Sequence, residues 1–263
     1  MTHIAAPETL RAALTLAYQH KKKTRWLVGT SDLLRLDYSR VPSDSFIIDA
    51  RGIAEFRAVE RFHKGLWGVG VFTSMAALDD HREIGRQLIG ETEMPPLRLL
   101  GLEAKLTIGM PGTTRTVPLD AIYADGVLAI EPHEVPISLE VPAHPAGLAF
   151  AERRRATTDG AASYDVRLLV CLKVGSLRKI ERVRIAVALD DRGPQRATSA
   201  EDRLAGKRLA DHRAEATAFG EAARLAAHVI PSVDAKTSAV ARALPALALS
   251  ALKEAYGAAG RAL

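Results

Sequence analysis

The stretch Trp26-Leu27-Val28-Gly29-Thr30-Ser31-Asp32-Leu33-Leu34 constrains the fold most. Trp26, Leu27 and Val28 read as a short apolar strand that breaks at Gly29. Thr30, Ser31 and Asp32 are small and polar, and Leu33 and Leu34 read as the start of a helix. A strand that stops at glycine and restarts as a helix gathers several backbone N–H groups into one concave turn. Such a turn suits phosphate or carboxylate oxygens. Phe46-Ile47-Ile48-Asp49 reads as a second, fully apolar strand, so residues 1–54 are expected to hold a small parallel β-α-β unit. A helix opening at Pro7-Glu8-Thr9-Leu10, with Leu10, Ala13, Leu14 and Ala17 at helical spacing, precedes it.

The pattern then changes. Glu55–Glu60 and Leu66–Phe72 alternate around His63-Lys64-Gly65, as a hairpin does. Thr73 or Ser74 caps a helix through Met75, Ala76 and Leu78. Residues 90–96 form a loose Gly, Glu and Pro stretch, followed by strand signals at Ala104–Ile108, Thr114–Leu119 and Ile137–Val141, with a turn at Met110-Pro111-Gly112. His144-Pro145-Ala146-Gly147 marks a boundary. Beyond it lie strands at Leu148–Arg154, Asp165–Val174 and Ile180–Leu189, joined at Thr158-Asp159-Gly160 and Gly175-Ser176. After Pro194 the chain is helical and alanine-rich, with Pro231 and Pro245 as breaks or kinks. The expected class is α+β, with an α/β half over residues 1–145 (subdomains near 1–54 and 55–145) and a C-terminal antiparallel sheet backed by helices over 146–263.

Composition closes off several chemistries. Cys171 is the only cysteine in 263 residues, so neither an internal disulfide nor a cysteine-ligated cluster is available. In its apolar run it reads as a small core residue. The eight histidines are scattered with no HExxH spacing, and no metal site is expected. No Gly-x-Ser-x-Gly elbow or Gly-Lys-Ser/Thr loop occurs, and no catalytic residue is assigned. Asp79-Asp80 and Asp190-Asp191 read as cap or surface pairs, and Trp26 and Trp67 as core. The charge is +5, with one cluster at Lys21-Lys22-Lys23-Thr24-Arg25. Without interleaved aromatics it reads as a solvated helix end rather than a nucleic-acid patch. With no apolar run of about 20 residues and no basic-then-apolar leader, a cytoplasmic protein away from membranes is expected.

The order of these segments resembles the flavoprotein (medium) subunit of molybdenum hydroxylases, the family of aerobic carbon monoxide dehydrogenase and xanthine dehydrogenase. Residues 28–34 are similar to its Ala-Gly-Gly-Thr-Asp-Leu-Leu loop. Ile48-Asp49-Ala50-Arg51-Gly52-Ile53 is similar to its Ile-Asp-Leu-Arg-Gly-Ile step, and residues 66–73 to its Leu-Arg-Ile-Gly-Ala-Leu-Thr-Thr segment. Arg115-Thr116-Val117-Pro118-Leu119 looks like its Arg-Thr-Val-Pro-Leu strand. Phe150–Arg155, with the run Arg153-Arg154-Arg155, looks like the strand opening its C-terminal domain, and Ile185–Leu189 and the alanine-rich end also fit. The resemblance implies an electron-transfer subunit. FAD would be bound through Val28, Gly29, Thr30, Ser31, Asp32, Leu33 and Thr73. A molybdopterin-binding large subunit and a [2Fe-2S] small subunit would be the partners.

Two departures bear on that cofactor. Thr30 stands where the family has a second glycine, narrowing the approach of a pyrophosphate. The family's second loop, Thr-Ile-Gly-Gly-Asn-like, is missing: Ile89-Gly90-Glu91-Thr92-Glu93 leads straight into Met94-Pro95-Pro96-Leu97, and no Gly-Gly pair occurs anywhere in the chain. Each lost N–H donor to a charged oxygen removes roughly 1.5–3 kcal/mol, and Glu91 and Glu93 would each add about 1 kcal/mol or more of repulsion. The resulting expectation is a scaffold or docking subunit with weakened or lost FAD binding. The alternatives are a working FAD subunit, a stand-alone nucleotide- or anion-binding module, and a basic nucleic-acid binder. The Arg153-Arg154-Arg155 run serves an anionic cofactor, an acidic partner or plain solvation.

Overall fold

In a computed structural model of the chain, the structure describes residues 3–34, 36–38, 45–62, 65–89, 95–110, 112–124, 127–131, 133–159, 162–189, 193–229 and 235–261. The expected turns at His63-Lys64, Pro111 and Gly160, the acidic stretch Glu91–Glu93, the pair Asp190-Asp191 and the break at Pro231 lie outside the described residues. The chain forms two compact units, one from Met1–Ile89 with Glu103–Ala143, the other from Gly90–Leu102 with His144–Leu263.

The first unit begins with β1 (His3–Ala5), α1 (Leu10–His20), β2 (Thr24–Leu27), β3 (Gly29–Ser31), β4 (Leu36–Tyr38) and β5 (Phe46–Asp49). Thr9 caps α1, its Oγ1 accepting from Ala12 N at 3.3 Å, and Ala13 and Ala17 form its buried stripe. Lys21–Lys23 continue as an exposed 3-10 turn at its C-terminus, where cations complement the dipole. β5 lies between β1 and β2 and is parallel to both, with Thr24 opposite Phe46 and Leu27 opposite Asp49. That is the small parallel sheet expected, with β1 as an added strand. Trp26 is 1% exposed and Ile48 fully buried.

The same unit continues through β6 (Val59–Phe62), β7 (Leu66–Gly70), α2 (Met75–Asp80), α3 (Arg82–Leu88), β8 (Lys105–Met110), β9 (Thr113–Pro118), the short pair β10 (Tyr123–Ala124) and β11 (Val127–Leu128), and β12 (Val135–Pro142). A five-stranded antiparallel sheet runs in the order β6-β7-β12-β8-β9. The first of the expected alternating segments starts later than the pattern suggested, because Ala54–Phe56 closes as a 3-10 turn before β6. Ser74, one of the two proposed caps, holds α2 through Ala77 N.

The second unit holds α4 (Pro95–Gly101), β13 (Leu148–Asp159), β14 (Ala162–Val174), β15 (Ile180–Leu189), β16 (Gln195–Arg196), α5 (Thr198–Leu204), α6 (His212–Ala226) and α7 (Ala235–Arg261). Its sheet is antiparallel in the order β13-β14-β15-β16. Leu168, Val170, Leu172 and Val174 of β14 pack with Phe219, Leu244, Leu252 and Tyr256 of α6 and α7. The alternate residues Leu169 and Cys171 meet Gly101 of α4, so both faces of β14 are covered. The expected α+β class, an α/β half followed by a helix-backed antiparallel sheet, is the architecture found. Pro245 lies inside α7 rather than ending it.

Candidate functional site

The glycine turn does not open a helix. Gly29–Ser31 pairs antiparallel with Leu36–Tyr38, Gly29 opposite Tyr38 and Ser31 opposite Leu36, and residues 32–34 are a turn. The expectation of a strand-to-helix anion cradle is therefore corrected to a hairpin. Part of the main chain of this segment is committed to the ladder, and no helix dipole follows it. Ser31 explains the misleading signal: its Oγ accepts from Leu34 N at 3.3 Å, as a helix cap does. The chain then enters β4 instead of a second helical turn.

Ser31 also fastens the loop to its neighbour. Its hydroxyl donates to Val71 O at 2.5 Å, which brings Gly29–Leu34 beside the segment leading to Thr73. Val28, Leu33 and Leu34 are core residues, whereas Thr30 and Asp32 are exposed. Gly29 has φ of +117°, a conformation that favours glycine, and a Cβ there would meet no atom within 4 Å. Among the described residues, the space above Gly29 is open. Gly70 is the reverse: a Cβ would lie 2.4 Å from the carbonyl carbon of Phe56 and 2.5 Å from Arg57 N. That close approach lets Gly70 N donate to Ala58 O at 2.7 Å and Phe72 N to Phe56 O at 2.9 Å.

Thr73 is 2% exposed, and its Oγ1 has no hydrogen-bond partner among the described residues. A buried hydroxyl left unpaired costs about 1–3 kcal/mol, so this atom is the feature of the site that most calls for a ligand. Of the seven residues named from the sequence, Val28, Gly29, Thr30, Ser31, Asp32 and Leu33 are consecutive, and the Ser31–Val71 hydrogen bond ties that run to the segment two residues before Thr73. Among them, Thr73 Oγ1 is the buried side-chain atom without a hydrogen-bond partner among the described residues, and Thr30 and Asp32 are exposed.

Three residues given no role by the sequence reading shape the same edge. Asp49, at the end of β5, accepts from Arg51 Nε at 2.9 Å and Nη2 at 2.7 Å. The Arg51 hydrogen bond, against an opposing push from burial, holds the Asp49 carboxyl below its ordinary 3.8. The same contact raises Arg51. Arg57 donates to Val28 O at 2.9 Å and to Arg51 O at 2.8 Å, clamping the start of the loop to the turn after β5. The two-residue spacing of Asp49 and Arg51 was a signal available in the sequence, but Arg57 carried none.

A flavin dinucleotide meets these residues only in part. The open space at Gly29 and the unpaired Thr73 hydroxyl fit a phosphate. The ladder at Gly29–Ser31, the spent Ser31 hydroxyl and the exposed Asp32 carboxylate do not. Among the described residues no group of three His, Cys, Asp or Glu is placed to hold a metal ion, and no helix is long and apolar enough to cross a membrane. The arginine run is engaged within the chain: Arg153 donates to Ser250 and Glu254, and Arg154 to Asp165, leaving Arg155 exposed.

No protein-family model matches the chain, and no curated protein matches it in sequence. Solved structures do. Reconstituted CO dehydrogenase from Oligotropha carboxidovorans is 18% identical, with a TM-score of 0.67, and the match covers 98% of each chain. Quinoline 2-oxidoreductase from Pseudomonas putida 86 is 19% identical with a TM-score of 0.67, again over 98% of each chain. Carbon monoxide dehydrogenase from Hydrogenophaga pseudoflava, in a form lacking the Mo-pyranopterin moiety of its molybdenum cofactor, is 20% identical with a TM-score of 0.64, over 99% of this chain and 98% of that one. The chain has the fold of chains from these oxidoreductases over nearly its whole length. Carbon monoxide dehydrogenase is one of the members of the family that the order of sequence motifs resembled.

Proposed function

We propose that this chain is the medium, flavoprotein-type subunit of a molybdenum hydroxylase complex, acting as a scaffold or docking subunit whose grip on FAD is weakened or lost. The observation that carries the reading is the whole-chain fold similarity to CO dehydrogenase and quinoline 2-oxidoreductase chains, coinciding with the motif order along the sequence. Its partners would be a molybdopterin-binding large subunit and a [2Fe-2S] small subunit, with substrate chemistry carried by the former. Weakened flavin binding is supported by Thr30 in place of a glycine, by the lack of any Gly-Gly pair and by the β3–β4 ladder at the first loop.

One observation favours a second reading, a working FAD subunit: the buried Thr73 hydroxyl, unpartnered among the described residues, on the segment that Ser31 of the Gly29 loop is bonded to. In that case Gly29, Thr30 and Thr73 would hold the dinucleotide, and the flavin would supply electron transfer. The deciding experiment is gentle purification of the chain with its co-expressed large and small subunits, followed by release and quantification of flavin. Assembly with substoichiometric flavin is expected. One FAD per chain would establish the second reading, and a chain that stays alone in the presence of both subunits would remove the first.

A further inference from the structure

The hairpin joining β14 and β15 is built against the preferences of its backbone. Leu177 and Arg178 sit at φ of 55° and 58°. The turn is closed by Lys179 N donating to Ser176 O at 3.3 Å and Gly175 N to Lys179 O at 2.8 Å. Two consecutive left-handed residues at a hairpin tip call for Asn-Gly or a similar pair. Leucine and arginine both bear a Cβ that this conformation crowds. Leu177 gains nothing from folding in return, since it is 68% exposed.

The tip is nevertheless held firmly. A second segment braces it, with Ile180 N donating to Lys207 O at 2.9 Å, Gly206 N to Ile180 O at 2.9 Å and Leu209 N to Arg178 O at 3.2 Å. That segment sets Arg208 opposite Lys179. Arg178 and Lys179 follow the exposed leucine in sequence, Lys207 and Arg208 lie on the segment that braces it, and none of the four forms a salt bridge with a described residue. Of the nearby acids, Glu181 pairs with Lys173 at 3.2 Å and Asp211 caps α6, while the charges of Glu215 and Arg178 act in opposite directions on the Tyr256 hydroxyl. Strain and exposed apolar surface disfavour the free chain at one spot, exposed cations lie beside it, and strained backbone of this kind collects where a binding function compensates it.

We infer that the Leu177–Arg178 tip is a docking knob for a protein partner, one that offers an apolar socket rimmed by carboxylates. The socket would bury the leucine and pair the four cations, and the braced hairpin would lose little freedom on binding. A lipid surface is the poorer match, because one leucine is much smaller than a single acyl chain, itself only a marginal anchor. The inference rests on the reading of the chain as a subunit of a larger complex.

The test compares the wild-type chain with Leu177→Asn/Arg178→Gly and with Arg178→Glu/Lys207→Glu, each titrated against the purified large and small subunits. The first variant suits the turn, so its Tm should rise by roughly 3–8 °C while its affinity for a partner subunit falls at least tenfold. The second should weaken binding to a similar degree without raising Tm, and should flatten the salt dependence. Unchanged affinity in both variants, with the wild type binding normally, overturns the docking knob and leaves the subunit reading intact. No binding by the wild type overturns both. An unchanged Tm in the first variant overturns the strain argument. Binding to phosphatidylserine vesicles that the first variant abolishes shows a lipid partner instead and overturns the protein socket.

Discussion

At Thr73 the free energy of one atom separates a ligand site from a relic. In the free chain its hydroxyl is buried and has no partner among the described residues, so replacement by an isosteric methyl removes a penalty rather than a bond. Thr73→Val is expected to stabilise the free chain by about 1 kcal/mol in urea denaturation. If the chain binds FAD through this group, the same variant weakens flavin retention, and the two readouts move in opposite directions. Gly70→Ala should do the reverse to stability, because its Cβ would strike the backbone at Phe56 and Arg57. A loss of about 1–3 kcal/mol is expected, read as a lower urea midpoint. Asp49 supplies a pH test. Its folded-state carboxyl lies below 3.8, chiefly through the Arg51 hydrogen bond. Its stabilising contribution is therefore present above the unfolded value and is lost as pH falls through the folded one. A carboxyl NMR titration should place the Asp49 midpoint below 3.8, and Arg51→Ala should move it upward.

Among the elements, those whose signal is local were legible in the sequence. Thr9 followed by a 3.6-period apolar stripe gave α1, the uninterrupted run Phe46–Asp49 gave a buried parallel strand, and Ile180–Leu189 gave β15 with its bounds intact. The β3–β4 hairpin was not legible, because Ser31 imitates a helix cap for one turn and the pairing with β4 is decided by tertiary contacts. Helix α4 begins inside residues 90–96, which the local pattern marked as a loose stretch. Pro95 and Pro96 stand at its first turn, where proline is tolerated for want of an N–H to lose. What holds it is the face of β14 that it covers, a fact of packing that no local pattern carries. β14 itself makes a prediction. Cys171 is fully buried between Arg184 of β15 and Phe150 of β13 in the ladder. A thiol reagent should therefore label it only as fast as the strand opens. Rapid labelling of the native chain would mean that α4 does not cover this face.

At the scale of the molecule, the candidate site residues and the proposed docking knob belong to different units, 1 and 2 respectively. The sequence revealed the first through its glycine loop and concealed the second, because nothing in Ser176-Leu177-Arg178-Lys179 signals positive φ. Division of labour of that kind suits a subunit that holds other chains, whether or not a cofactor remains. It also ties the second unit to a piece of chain lent from before β8. Arg98 of α4 pairs with the nearly inaccessible Glu152 carboxylate of β13, its guanidinium lies 4.8 Å from the Phe150 ring centroid, and Arg182 of β15 donates to Gly101 O at 3.1 Å. Cutting the chain before His144 would take Arg98 away from that carboxylate, and breaking a buried pair in this way costs about 3–5 kcal/mol. A fragment of residues 144–263 is therefore expected to bind a hydrophobic dye and to unfold without a sharp transition. A synthetic peptide spanning residues 95–102 should restore cooperative unfolding, and the same peptide with Arg98→Ala should not. If the fragment alone melts as sharply as the complete chain, α4 is an ornament rather than a wall of the second core.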